Sequence, residues 1–155
     1  VSSTIPPLRC EVLADAAATR ALGARLAALL EPGSILLLWG DLGAGKTCLV
    51  QGLATALGID EPITSPTFAL AQHYGGARGP GALVHLDLYR LEQPAAADEL
   101  FAQEEETARE LGAVLAVEWP QRLSVPPAEA WRVELALSPG GDPEAGRLAR
   151  LWAPR

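Results

Sequence analysis

The chain has 155 residues, enough for one buried core and too few for two. Apolar residues make up 49% of it, but no apolar run approaches the roughly eighteen residues of a membrane helix, and no charged leader precedes an apolar stretch, so a cytoplasmic protein without a membrane span is expected. A net charge of −7 argues against direct binding of nucleic acid or anionic lipid, and Cys10 and Cys48 have neither metal-ligand nor disulfide spacing.

In chain order, Asp15 is expected to cap a helix over 16–30, where Leu22, Leu26, Leu29 and Leu30 recur at helical spacing before Pro32-Gly33 stops it. The run Ile-Leu-Leu-Leu-Trp at 35–39 reads as a buried parallel strand. It leads into Gly-Asp-Leu-Gly-Ala-Gly-Lys-Thr at 40–47, which fits the glycine, four residues, Gly-Lys-Ser/Thr pattern that cradles nucleotide phosphates. Glycines 40, 43 and 45 allow the backbone amides to turn inward, and a helix over 47–56 adds its N-terminal partial charge to the same spot. The phosphate-lining set is therefore Asp41, Leu42, Gly43, Ala44, Gly45, Lys46, Thr47 and Cys48, with Lys46 reaching the terminal phosphates and the Thr47 hydroxyl on magnesium. Of the twelve basic residues eleven are arginine, and the single lysine is Lys46. A compact ammonium fits inside a closed phosphate loop where a planar fork does not. Cys48 itself reads as a small buried residue rather than a reactive thiol.

After Gly58 the two prolines of Glu-Pro-Ile-Thr-Ser-Pro-Thr-Phe (61–68) impose an extended connector. From 58 to 65 it can span about 26 Å, more than the roughly 15 Å of the loop helix, so Thr64, Ser65 and Thr67 can return to the phosphates as a switch-like segment. Strands are expected at 68–74 and 82–89, and the seven glycine-rich residues between them are too few for a crossover helix, so the pair should be antiparallel. That hairpin puts Asp87 at the nucleotide end, as a carboxylate partner for magnesium. His85 shares its face but is given no catalytic role. A helix over 94–111 follows, with Glu104, Glu105 and Glu106 on a solvated face, then a buried strand at 113–119 whose Glu118 is a second carboxylate at a strand end. Which of the two acids holds metal and which orients water is open at this point. Strands at 131–137 and 147–152 form a terminal hairpin around a nine-residue loop. These elements predict one domain over 1–155, an α/β P-loop NTPase-like three-layer fold with a mixed parallel/antiparallel sheet.

Four stretches, Gly-Asp-Leu-Gly-Ala-Gly-Lys-Thr (40–47), Thr-Ser-Pro-Thr-Phe (64–68), His-Leu-Asp-Leu-Tyr-Arg (85–90) and Glu-Trp-Pro-Gln-Arg-Leu (118–123), come in the order and spacing that resemble the TsaE family, the small ATPases of bacterial tRNA threonylcarbamoyladenosine modification. The resemblance implies a weak, partner-stimulated Mg2+-dependent ATPase working with TsaB-like and TsaD-like proteins, with tRNA reached through the complex. It implies Lys46 on phosphate, Thr47 and Glu118 on magnesium, Asp87 on metal or water, Trp119 beside the nucleotide, and Thr64 and Thr67 in a switch segment. Gln121 departs from the glutamate often found there in the family, and Cys48 from threonine. Two other readings compete. One is a small-molecule kinase using the same loop, with Arg90 and Arg122 clamping an acceptor; the other is a binding module gated by nucleotide state. A GTPase is disfavoured, because the usual guanine-selecting element needs a second lysine.

Overall fold

The computed structural model describes residues 5–64, 70–76, 79–138 and 146–155. Among them seven strands form one mixed sheet: β1 (Arg9–Leu13), β2 (Ile35–Trp39), β3 (Ala71–Gly76), β4 (Gly79–Asp87), β5 (Val114–Glu118), β6 (Trp131–Leu137) and β7 (Arg147–Trp152), in the spatial order β1-β7-β6-β2-β5-β4-β3. The β4, β5, β2 and β6 strands run parallel, and β3, β7 and β1 add antiparallel edges. The two expected hairpins are present, β3 on β4 and β6 on β7.

Alternation along the strands divides the core between two faces. Leu36 and Leu38 of β2, Val114 and Ala116 of β5, and Val133 and Leu135 of β6 face two helices, α1 (Ala16–Ala27) and α2 (Lys46–Ala56). Ile35, Leu37 and Trp39 of β2 and Val84 and Leu86 of β4 lie on the opposite face, the one that carries α3 (Pro94–Leu111). The result is a three-layer α/β fold. Asp15 caps α1 as expected, its Oδ1 accepting from the Ala18 N–H at 2.8 Å. Pro94 starts α3, and Gly112, at φ 65°, ends it in the left-handed conformation that glycine adopts without penalty.

Three details differ from the sequence reading. Strand β1 was not expected: Glu11 and Val12 are part-exposed to exposed while Leu13 is buried, so the segment carries no apolar run, and its pairing with β7 alone makes it a strand. Helix α1 ends at Ala27, with Leu29 and Leu30 in the turn that follows. Glu104 is not on a solvated face; it is 6% exposed and its Oε2 lies 2.7 Å from His73 Nε2 of β3, so an acid on the acidic helix serves the core.

Candidate functional site

The glycine loop leaves the carboxyl end of central strand β2, where open α/β sheets present their ligand crevice. Gly43 (φ 81°) and Gly45 (φ 106°) both take left-handed backbone, and Gly45 is the residue from which α2 springs. Gly40 (φ 154°) is required by close approach as well: a Cβ there would meet the Leu135 carbonyl oxygen of β6 at 2.8 Å. From the other side Arg147 of β7 donates to the loop carbonyls of Gly43 (2.9 Å) and Ala44 (3.1 Å), pinning the turn to the terminal hairpin.

A cavity of about 260 Å³ opens on this loop, lined by residues 42–48 together with Asp87, Tyr89, Glu118 and Trp119. The predicted Leu42, Gly43, Ala44, Gly45, Lys46, Thr47, Cys48, Asp87, Glu118 and Trp119 thus converge on it. Asp41 sits just outside, in a neighbouring depression with Gly40 and Gln121. Thr64 is exposed and lies apart from the cavity, beside Tyr74; the preceding Ile63 carbonyl accepts from Gln51 Nε2 of α2 at 3.1 Å. Thr67 falls outside the described residues.

Parallel pairing of β4 and β5 sets Asp87 opposite Glu118, which puts both carboxylates on one face at the strand ends. Glu118 is buried and its Oε2 is held by two donors, the Thr47 hydroxyl at 3.2 Å and His85 Nε2 at 2.6 Å. His85, completely buried two residues before Asp87, therefore orients Glu118, a contact that strand spacing alone did not give. Asp87 is more open and accepts the Tyr89 N–H at 2.9 Å through Oδ1. Burial raises its pKa above the usual aspartate value, and the Tyr89 amide pulls back against this; the Glu118 charge adds to the rise, while His85 and Lys46 oppose it.

Lys46 is 5% exposed, and its burial lowers the ammonium pKa against the opposing pull of Glu118, Asp87 and Asp41. Its Nζ donates to the carbonyl of Gly40 and, at 3.4 Å, to that of Asp41. The same ammonium lies 4.1 Å from the centroid of the Trp119 ring. Among the described residues Trp119 is the only non-glycine with positive φ (61°), a conformation that costs about 1–3 kcal/mol and is found where a side chain is held for a purpose. Tyr89, whose ring centroid is 4.8 Å away, and Arg122, 6.0 Å from the Trp119 centroid, complete a stack over the lysine. Tyr89, His85 and Arg147 are site residues to which sequence reading gave no role; His85 and Tyr89 left a signal in their spacing of two from Asp87, and Arg147 left none.

The donor set fits a magnesium-bound nucleotide triphosphate. A hydroxyl and two carboxylates meet beside the glycine loop, the start of α2 and one ammonium, the residue types that phosphate loops use for such ligands. A second cavity of about 360 Å³, lined by residues 14–16, Thr19, Gly45, Cys48, Gly146 and Arg147, adjoins the first through Gly45 and Cys48.

Comparison with known proteins gives a consistent assignment. The family model described as "Threonylcarbamoyl adenosine biosynthesis protein TsaE" matches residues 13–142. A protein from Nostoc sp. named tRNA threonylcarbamoyladenosine biosynthesis protein TsaE is 42% identical over 142 residues, 92% of this chain and 86% of that protein. Its namesake from Synechocystis sp. is 48% identical over 120 residues, covering 76% and 73%. The crystal structure of Bacillus subtilus YdiB is similar with a TM-score of 0.68 at 26% identity, over 97% of this chain and 89% of that one.

Proposed function

The chain belongs to the TsaE family, and from that premise and the geometry of the loop cavity we propose that it is the ATP-hydrolysing component of tRNA threonylcarbamoyladenosine synthesis, acting in the cytoplasm with TsaB-like and TsaD-like proteins. The net charge of −7 favours contact with tRNA through those partners rather than directly.

ATP is the substrate. The amides of residues 43–48 and Lys46 would hold its phosphates, and the adjoining cavity over Gly45 and Cys48 has room for ribose and base. Thr47, with Glu118 hydrogen-bonded to it, would hold magnesium, which neutralises charge on the phosphate oxygens. Asp87 remains to orient the attacking water: it is less buried than Glu118, and its raised pKa suits a group that accepts a proton. Trp119 belongs on the phosphate side in this reading, since it lies over Lys46 and does not line the second cavity.

The observation that carries the proposal is the meeting of Thr47, Glu118 and Asp87 at the mouth of the glycine loop. ATP turnover measured alone and with the TsaB–TsaD pair tests it. Slow turnover that rises with the pair, and that Glu118→Gln lowers by about a hundredfold or more with nucleotide binding retained, is expected. Native turnover in Glu118→Gln would remove the assigned role. The kinase reading is disfavoured because Arg122, one of its acceptor clamps, lies over the Tyr89 and Trp119 rings with its Nε buried.

A further inference from the structure

Helix α3 covers only part of its sheet face. It packs on β4 and β5, and over β2, β6 and β7 the same face opens into a cleft of about 480 Å³, larger than the phosphate cavity. At its floor the guanidinium of Arg132 is sandwiched between two indoles, 5.5 Å from the Trp39 centroid and 4.8 Å from that of Trp152. Register explains the sandwich: Arg132 lies opposite Trp152 on one side and Leu37 on the other, and Trp39 is two residues along from Leu37 on the same face.

Among the described residues, two donors at this floor have no acceptor. Trp39 is 5% exposed and its Nε1 is buried without a hydrogen-bond partner, as is Nη2 of Arg132. Trp152, by contrast, donates its Nε1–H to the Ile5 carbonyl at 2.9 Å. Buried indole and guanidinium N–H groups ordinarily find acceptors, so two unpaired donors on side chains that line one cleft mark a place where an occupant's oxygen would be bonded. Among the described residues no aspartate or glutamate side chain lines the cleft, whereas the arginines Arg132 and Arg155 do, on a protein whose net charge is −7. The rim is apolar: Ile5 is 43% exposed, Leu8 65%, and Val125, which precedes the lining Pro126, 82%.

We propose that this cleft is the docking site for a protein partner of the modification machinery, and that it takes a carboxylate-bearing side chain flanked by apolar residues. The proposal rests on the function proposed above. A carboxylate supplies the acceptors that Trp39 and Arg132 lack, and an exposed apolar rim around buried tryptophan and arginine is the anatomy of a protein interface with a central hot spot. Trp39 is joined directly to Gly40 of the phosphate loop, so an occupant pressing on the indole acts on the strand end from which the loop springs.

Equilibrium binding of the full chain to the TsaB–TsaD pair from the same genome tests this with two variants. Arg132→Leu keeps apolar volume and removes the donors. Ala128→Glu adds a carboxylate at an exposed position of the lining without altering the core. Each should bind the pair about thirtyfold or more weakly, while melting temperature and Mg·ADP affinity stay native. If Arg132→Leu does not fold, Ala128→Glu decides alone. Binding at native strength by a folded variant overturns the proposal, and so does sedimentation of the protein alone as a dimer that Ala128→Glu dissolves, since the occupant is then a second copy. Absence of binding by the native chain overturns the functional reading and the docking site with it, an outcome distinct from native-strength binding by the variants.

Discussion

Replacing Gly52 by alanine probes the contact that positions the phosphate loop. Helices α1 and α2 touch backbone to backbone: a Cβ on Gly52 would lie 1.9 Å from the Arg20 carbonyl oxygen and 2.6 Å from its carbon, and one on Gly23 would lie 2.0 Å from the Leu49 oxygen. Every atom met is main chain, so no rotamer change relieves the clash, and the helices must part by more than about 1 Å to reach ordinary contact. Overpacking of this kind costs about 3 kcal/mol at the upper end of its range, while alanine's better helix propensity returns about 1 kcal/mol. The net loss of about 2 kcal/mol corresponds to a fall in melting temperature of about 4–8 °C for a domain of this size. Helix α2 begins with Lys46 and Thr47, so the displacement should also weaken Mg·ADP binding. Differential scanning calorimetry with and without nucleotide measures both effects. A melting temperature that is unchanged or raised would mean that propensity outweighs the close approach, and the packing argument would be wrong.

Lys46→Ala should abolish Mg·ADP binding by titration calorimetry; retained affinity would show that the loop amides suffice alone. Asp87→Asn preserves the acceptor for the Tyr89 N–H and removes a charge whose folded-state pKa is raised by burial. Because the folded protein holds that proton more tightly than the unfolded chain, stability falls as pH rises from the ordinary aspartate range through the folded pKa. The variant should therefore melt higher than the native protein at neutral pH and lose that advantage in acid, where equal melting at both pH values would refute the burial argument. Nucleotide phosphates should draw Lys46 from the Trp119 ring, giving an emission change on Mg·ADP addition that Trp119→Phe abolishes; an undiminished change would assign it to Trp39, Trp131 or Trp152.

The phosphate loop was legible because its chemistry is contiguous, with strand, glycines, lysine and helix following one another in the chain. The acids were legible at one remove: a short glycine-rich connection forces β3 and β4 antiparallel, and that alone carries Asp87 to the loop end of the sheet. Contacts made across the fold left no such trace. His85 reaches Glu118, Arg147 reaches the Gly43 carbonyl, and Glu104 reaches His73 only once strand order is set, and strand order is not a local property. Strand β1 failed for the opposite reason, since an edge strand with one buried residue has no pattern to detect until β7 pairs with it.

The same long-range contacts explain how a buried ammonium is kept beside three acids without bridging to any of them. Asp87, Glu118 and Asp41 all favour the charged lysine, yet its direct partners are two loop carbonyls and an indole face. Glu118 is meanwhile engaged by Thr47 and His85, and Asp87 by the Tyr89 amide. Carboxylates held by other donors remain available to a metal, whereas a direct lysine–carboxylate bridge would have to break before the phosphates could enter. The cost moves to Trp119, whose left-handed backbone turns its ring over the lysine. Strain at one backbone position thus substitutes for an ion pair, and it leaves the ammonium on partners that a phosphate can displace.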